Sequence, residues 1–401
     1  MKICVISNLY TPYERGGAER VVQNIIKGLK DRGHNVFLIT AGPFKNISSL
    51  RPQVVSEENL RIYRFYPLNL FFYHRDAKKN VIIRFFWHIL DVFNWHTYFA
   101  VKKILKKEKP GVVMTHNLMG LGFFVPKVIK SLHLKHIHTL HDAQLATPSG
   151  LIIKGKEHSW EHSNILTKLY AKINKKFFGS PAVIISPSNW LLEFYERLDF
   201  FKKSKKIVLP NPIPNFQFPI SNFQFQKRKE FNFLYLGQIE KHKGVLFLIK
   251  VFKKLAYNTT HNLHIAGRGS ELERIKEVAR DDPQIKIHGF IPHNELNKIF
   301  AQVDITIVPS LCYENSPTVI YESFSWGIPA IASRIGGVAE LVKDGYNGFT
   351  FEAGDEKSLL EILKYCLKNR DKLEEMRGNA KKSVEKHEIE KYIKKLEGLC
   401  K

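Results

Sequence analysis

Lys2-Ile3-Cys4-Val5-Ile6-Ser7, continued through Gly16-Gly17-Ala18-Glu19-Arg20 to Val36–Thr40, is the stretch that decides the fold. A short apolar run bounded by polar residues reads as a strand over Lys2–Ser7. A glycine-rich loop follows, then a helix over about Ala18–Arg32. Its apolar positions Val21, Val22, Ile25, Ile26 and Leu29 recur at helical spacing, and Gly33 stops it. Val36–Thr40 is the next strand, and Val112–Thr115, His136–Leu140 and Val183–Ser186 are later ones. Strands separated by helices imply a parallel sheet covered on both faces.

Working outward, residues 210–230, opening Pro210-Asn211-Pro212-Ile213-Pro214, read as a linker. A second alternation follows it. Phe233-Leu234-Tyr235-Leu236 is a strand, and a helix starts soon after Gly244. Leu263–Ala266 is a strand closed by Gly267-Arg268-Gly269, with a helix over Glu271–Ala279. Ile285–His288, Ile305–Val308 and Ala330–Ser333 are further strands. The expected class is α/β, with two Rossmann-like domains over 1–210 and 211–385 and a terminal segment at 386–401. In such sheets ligands sit beyond the carboxyl ends of the strands. The loops carrying Gly16, Gly267 and Glu314 are therefore expected to face one cleft.

Length and composition agree with two folded domains. The chain has 401 residues, too many for one typical core. Cys4, Cys312, Cys366 and Cys400 stand singly, without metal-ligand spacing, which favours a reducing compartment and no structural zinc. No apolar run approaches the roughly 18–20 residues of a membrane-spanning helix, and the start of the chain is too soon polar for a signal peptide. The expected location is cytoplasmic, with a peripheral position on the inner face of the cell membrane. The 62 Lys and Arg against 38 Asp and Glu give a net charge of +24, a field that draws anions such as nucleotides, phosphorylated sugars, lipid surfaces or nucleic acid.

Tyr313-Glu314-Asn315-Ser316-Pro317-Thr318-Val319-Ile320-Tyr321-Glu322 places one carboxylate before a helix start and a second inside that helix. Ser316 or Asn315 can cap it, Pro317 suits its first turn, and Gly327 with Pro329 ends it. Amides free at a helix N-terminus attract anions, phosphates above all. Eight helical residues rise about 12 Å, whereas a glycosidase pair flanking one bond sits about 5–10 Å apart. The two acids suit the two ends of an extended ligand. Read without context, the segment is equally a surface Glu followed by a helix-wall Glu.

Taken in order, the motifs resemble the family-four, or group 1, retaining glycosyltransferases of the GT-B fold. They run from Gly16-Gly17-Ala18-Glu19-Arg20 and Leu140-His141-Asp142 through Leu236-Gly237-Gln238, Lys243-Gly244 and Ile265-Ala266-Gly267-Arg268-Gly269. His288-Gly289-Phe290, Pro309-Ser310, Glu322-Ser323-Phe324, Gly327-Ile328-Pro329-Ala330, Gly336-Gly337 and Asp344-Gly345-Tyr346-Asn347-Gly348-Phe349 complete the series. The resemblance spans nearly the whole chain. It implies two Rossmann-like domains facing each other across a cleft, and transfer of a sugar from a nucleotide-sugar, UDP- or GDP-linked, to an acceptor. It implies a retained anomeric configuration with neither metal nor cofactor. A front-face attack, in which the leaving phosphate takes the acceptor proton, is the mechanism it suggests.

The roles follow residue by residue. Gly16 and Gly17 let backbone approach a diphosphate at a helix N-terminus. Lys243 matches the basic position that meets the departing diphosphate, where charge develops in the transition state. The usual partner five residues earlier is Arg, but here it is Gln238, which donates hydrogen bonds without charge; Arg268 or Lys241 could supply the cation instead. Gly267 and Arg268 join the donor side. Glu314 matches the residue touching the donor sugar near its reacting carbon, with the amides of Asn315, Ser316 and Thr318 around Pro317 holding sugar or phosphate. Glu322 matches the carboxylate that takes two ribose hydroxyls, and Phe290 with Ile291 would meet the base. His141 would hydrogen-bond the reacting sugar or assist the acceptor beside Asp142. The catalytic set is thus Glu314, Lys243 and His141, and the terminal segment would cross back to the first domain.

Residues 61–110 add Phe71, Phe72, Tyr73, Phe85, Phe86, Trp87, Phe93, Trp95, Tyr98 and Phe99 among Arg75, Lys78, Lys79, Arg84, Lys102, Lys103, Lys106 and Lys107. Cationic segments with aromatic anchors suit a lipid interface, so a glycan or lipid-linked acceptor and contact with an anionic membrane are expected. The plainer alternative puts the aromatics in the core. An epimerase, a sugar-phosphate synthase or a non-catalytic relative of the same fold are rival functions. Single-stranded nucleic acid would also suit basic and aromatic residues, but no recognition signature accompanies them, and nucleic acid is not expected as a partner.

Overall fold

The computed structural model describes residues 1–73, 80–213, 229–255, 260–292 and 295–401. Arg75, Lys78 and Lys79 of the basic segment lie outside the described residues, as do Pro214 and the linker residues 215–228. The chain divides into two compact units. One comprises Met1–Ile152, Lys156–Pro212 and Ile389–Lys401; the other comprises Ile153–Gly155 and Ile213–Glu388.

The first unit is built on eight strands: β1 (Lys2–Ile6), β2 (Asn35–Ala41), β3 (Gln53–Glu57), β4 (Leu60–Phe65), β5 (Val112–Thr115), β6 (Lys135–Thr139), β7 (Val183–Ser186) and β8 (Lys205–Val208). Their order is β3-β4-β2-β1-β5-β6-β7-β8, parallel except for the β3–β4 pair. The two-residue side-chain period sends alternate residues to opposite faces. Cys4 and Ile6 of β1 enter one core with Trp87, Val101 and Phe178, while Ile3 and Val5 enter another with Val22, Ile26 and Ile393. The second core includes the helix Ile389–Cys400, whose Ile389 and Ile393 lie where a Cβ on Gly28 would fall. Arg32 and His34 each bond Glu397 of that helix at 2.8 Å.

The β3–β4 hairpin escaped the sequence reading. Its two turn residues, Glu58 and Asn59, both have positive φ, at 48° and 59°, as a tight hairpin turn demands. Glycine, the usual signal at such a turn, is absent.

The second unit has six parallel strands, β9 (Phe231–Gln238), β10 (His261–Arg268), β11 (Ile285–Gly289), β12 (Ile305–Val308), β13 (Ala330–Ser333) and β14 (Gly348–Phe351). Their order is β11-β10-β9-β12-β13-β14. Counted within the unit this is 3-2-1-4-5-6, the doubly wound order, with the reversal between β9 and β12. Phe233 and Tyr235 of β9 pack on one face, Leu234 and Leu236 on the other. In this order the connections that follow β9 and β12 run to opposite faces of the sheet, and ligands of such folds sit at that reversal.

Two close approaches fix those loops. Gly244 has φ of 74°, and a Cβ there would overlap the Pro309 carbonyl oxygen at the end of β12. Gly336 has φ of 60°, and a Cβ there would overlap the Glu314 carbonyl oxygen, which the Gly337 N–H already bonds at 2.8 Å. Gly33 has a similar φ of 78° but open space around it. Gly244→Ala should therefore lower stability in urea by roughly 1–3 kcal/mol, while Gly33→Asn, free of overlap and tolerant of this φ, changes it little. Equal effects at the two sites would show that the approach to Pro309 is not what Gly244 is there for.

Candidate active site

The carboxyl edge of the second sheet collects, in strand order, residues that are scattered along the sequence. Phe290 follows β11, Arg268 ends β10, Gln238 ends β9, Lys243 lies just beyond β9, and Glu314 follows β12. Gln238 and Arg268 are register partners on β9 and β10. The Arg268 guanidinium lies 4.7 Å from the centre of the Phe290 ring, which is exposed, and Ile291 is partly buried beside it.

The centre of the edge is an ion pair that spans the strand reversal. Lys243 Nζ donates to Glu314 Oε1 at 2.5 Å, and Ser310 Oγ donates to the same oxygen at 2.7 Å. Both partners are largely enclosed, with side-chain exposures of 23% and 14%. Burial by itself would raise the Glu314 carboxyl, but the Lys243 ammonium and the hydrogen bonds from Lys243 and Ser310 hold it below the ordinary range. Burial would lower the Lys243 ammonium, and the Glu314 charge raises it instead. Each keeps the other ionised.

The sequence assigned Lys243 and Glu314 to different parts of a ligand, and treated Lys243 as short of a cationic neighbour. In the structure the neighbour of Lys243 is the acid Glu314. Gln238 ends β9, where its main-chain carbonyl oxygen accepts from the Tyr235 hydroxyl. Ser310 was legible only as part of a motif, and its bond to Glu314 was not. Leu311 N–H donates to the His242 carbonyl at 2.9 Å, tying the two loops a second time. The segment Ile153–Gly155, which sequence placed in the first domain, belongs to this unit: Ile153 bridges Cys312, Lys154 N–H donates to the Leu311 carbonyl at 3.0 Å, and Lys154 pairs with Glu352. Nothing local marks it.

The helix beyond Glu314 begins at Thr318, not earlier, and runs to Ser325. Pro317 occupies the cap position and no side chain caps the helix, so the expected capping by Ser316 or Asn315 is corrected. The Ser316 hydroxyl is instead 2.6 Å from the Tyr321 hydroxyl. Asn315 is buried, and Glu322 is buried on the helix. Gly327, with φ of 66°, ends it as expected: Gly327 N–H bonds Phe324 and Ile328 N–H bonds Ser323, the doubly bonded glycine stop.

In the first unit, His141 and Asp142 follow β6, near the reversal between β1 and β5. His141 Nε2 lies 2.9 Å from His116 Nδ1. Asp142 accepts from Gln144 N–H at 2.9 Å and from Asn117 Nδ2 at 3.1 Å. Burial lowers the His141 imidazole to about 4, so it is neutral near pH 7, and burial raises the Asp142 carboxyl to about 6 against those hydrogen bonds. Thr115 Oγ1 joins His136 at 2.7 Å and His138 at 2.8 Å, and burial lowers both. Gly16 N–H donates to Glu19 Oε2 at 2.9 Å, and Gly17 opens the helix Gly17–Asp31.

Residues 217–383 match the model of the glycosyl transferases group 1, and residues 15–215 match that of glycosyltransferase family 4. Alpha-monoglucosyldiacylglycerol synthase of Acholeplasma laidlawii is 23% identical, with 100% of this chain and 96% of that protein covered. A sucrose-phosphate synthase of Thermosynechococcus elongatus superposes with a TM-score of 0.78 at 17% identity, covering 99% of this chain and 98% of its own. HepE of Anabaena, in complex with UDP-glucose, does so with a TM-score of 0.69 at 16% identity, over 99% and 98%. The chain belongs to the group 1 glycosyltransferases. Its fold is GT-B, and its activity is glycosyl transfer.

Two outcomes follow from these charges. Lys243→Met strands a buried carboxylate and should destabilise the protein by about 3–5 kcal/mol; adding Glu314→Gln, which still accepts from Ser310, should restore most of it in urea titrations. The second concerns acid. His88, His96, His116, His136, His138 and His141 are all lowered, chiefly by burial. Depressed histidines stabilise the fold above their unfolded value near 6.5 and lose that contribution as pH falls toward their folded values. Asp91, raised to about 8 by burial, and Asp142 act in the opposite sense, but they are outnumbered. The urea midpoint should fall between pH 6.5 and 4; a midpoint that rises over that window would contradict the neutral-histidine assignment.

Proposed function

We propose that the chain moves a hexose from a nucleotide-sugar, UDP- or GDP-linked, to a glycan or lipid-linked acceptor at a cytoplasmic membrane surface. The anomeric configuration is retained, and no metal or other cofactor takes part. The observation that carries the reading is the enclosed Lys243–Glu314 pair at the strand reversal of the second unit. A fixed ammonium there meets the charge that develops as a nucleoside diphosphate departs, and so stabilises the transition state more than the bound donor. The Lys243 ammonium then fills the part a metal cation would otherwise play. The UDP-glucose complex of HepE supports the donor class, and the diacylglycerol-linked product named for the Acholeplasma laidlawii synthase supports a lipid-linked acceptor.

The remaining roles follow from position and chemistry. Glu314 holds Lys243 and presents its carboxylate to a sugar hydroxyl, and Glu322 takes the ribose hydroxyls through its two oxygens. Phe290 and Ile291 lie against the base, with Gln238, Gly267 and Arg268 along the donor. The N–H groups of Asn315, Ser316 and Thr318 around Pro317 hold sugar or phosphate oxygens. Gly16 and Gly17 approach the diphosphate through backbone. His141, neutral near pH 7, hydrogen-bonds the reacting sugar or the acceptor beside Asp142. Both Lys243 and Ser310 engage Oε1 of Glu314, which fits a supporting role better than that of a nucleophile. The leaving phosphate oxygen takes the acceptor proton on the same face.

A melting-point panel of UDP-, GDP-, ADP- and dTDP-sugars checks the donor. A ligand at 100 times its Kd stabilises the native state by about 2.7 kcal/mol, so one UDP- or GDP-sugar should stand out, and Glu322→Ala should remove the shift. If no nucleotide-sugar moves the melting point, donor binding fails. Turnover unchanged by EDTA, and a product whose anomeric proton coupling matches the donor, are expected. Loss of turnover on chelation, or inversion, would overturn the corresponding part.

A further inference from the structure

The helix Val81–Val92, read as Val81-Ile82-Ile83-Arg84-Phe85-Phe86-Trp87-His88-Ile89-Leu90-Asp91-Val92, is turned inside out with respect to water. Its polar residues Arg84, His88 and Asp91 recur at helical spacing and face the protein: Asp91 is fully buried and accepts from Gly120 N–H at 2.9 Å. Its apolar residues face out. Val81 is 77% exposed, Ile82 66% and Phe86 54%, with Ile83, Phe85, Ile89 and Leu90 exposed beside them. Trp87 and Val92 are the exceptions: both are buried, and Trp87 donates its indole N–H to the Phe71 carbonyl at 2.8 Å. Phe72 is buried as well, so part of the aromatic segment is core and part is surface.

A second stretch completes the patch. The helix Ile165–Phe178 lies alongside, with Tyr170 against His88 at 6.3 Å and Phe177 against Phe93 at 5.6 Å between ring centres. It too turns polar side chains inward, Thr167 and Asn174, and leaves Ile165 80% exposed with Leu166 and Leu169. Trp160, in the turn before it, is exposed as well. A soluble monomer's largest apolar patch covers roughly 300–600 Å², less than eleven such side chains present together.

The surroundings select the occupant. The helices Trp95–Glu108 and Val125–Ser131 pack into the same core as these two, and Lys127 lies over the Phe177 ring at 4.0 Å. Across the four helices there are eleven Lys and Arg and two acids, Asp91 and Glu108, and both acids are buried. A water-facing interface with a second copy would set these like charges against each other. Aliphatic Val, Ile and Leu do not stack on bases as a nucleic-acid platform requires. An apolar face flanked by cations fits acyl chains beneath anionic headgroups.

We propose that the first unit docks on an anionic phospholipid bilayer through this two-helix face, inserting the apolar side chains of Val81–Leu90 with Trp160, Ile165, Leu166 and Leu169 into the headgroup boundary while the flanking lysines meet lipid phosphates. The proposal rests on the membrane-surface reading above and assigns it a place. Among the described residues no helix is long and apolar enough to cross the membrane, so the contact is interfacial.

Flotation of the full chain with vesicles, with and without phosphatidylglycerol in phosphatidylcholine, tests it. Binding is expected only with the anionic lipid and is strongest at low salt, and a fraction should survive 1 M NaCl, where charges are screened beyond about 3 Å. Ile82→Ser with Ile165→Ser, both at exposed positions, should cut vesicle partition at least tenfold without moving the urea midpoint or the nucleotide-sugar melting shift. Unchanged partition of that variant overturns the proposal. So does a wild type that ignores vesicles and runs as a dimer dissociated by the same substitutions, which would make the face a self-interface. Vesicle binding without any nucleotide-sugar shift would defeat the donor reading and leave the docking face standing.

Discussion

The Lys243–Glu314 ion pair is the interaction on which the second unit's site depends. A doubly wound sheet sends the connections after its central strands to opposite faces. Left alone, such loops have no reason to hold a defined spacing. The pair joins them through one short, enclosed contact, and the Leu311–His242 main-chain bond adds a second tie. Gly336 and Gly337 clamp the Glu314 backbone from the far side. Two charges are held in low-dielectric surroundings because each meets the other. Without a partner either would carry a heavy desolvation cost.

The two units handle charge in opposite ways. The second keeps an ionised pair at its strand ends, each charge held by the other. The first surrounds the ends of β5 and β6 with histidines that burial keeps neutral, so they offer hydrogen-bond donors and acceptors without charge. The surface of the first unit then departs from ordinary soluble behaviour: its inward-facing acid and outward-facing aliphatics reverse the usual amphipathic order.

Much of this was legible from residue order. The strands Val112–Thr115, Val183–Ser186, Ile305–Val308 and Ala330–Ser333 appear within the same bounds in the structure, because short aliphatic runs between polar breaks are what a parallel sheet buries on both faces. The glycine stop at Gly327 was equally plain. The β3–β4 hairpin was not, since Glu58 and Asn59 adopt positive φ without glycine to announce it. Nor was the start of the helix at Thr318: Pro317 takes the cap position, and Ser316 turns to Tyr321 instead.

By itself the sequence determined the α/β class, the alternation of strands and helices, and the residues that line the carboxyl edge, because each of these is set by local periodicity or by an ordered series of motifs. Tertiary structure alone decided which of those residues touch. Lys243 and Glu314 are 71 positions apart and meet only because β9 and β12 are neighbours in the sheet. Ile153–Gly155 joins the second unit through backbone pairing that no side-chain pattern encodes. The helix Val81–Val92 reads as core or as surface with equal ease, for apolar residues occupy most of its circumference. Only the packing of Trp87 and Asp91 inward settled which face meets the outside.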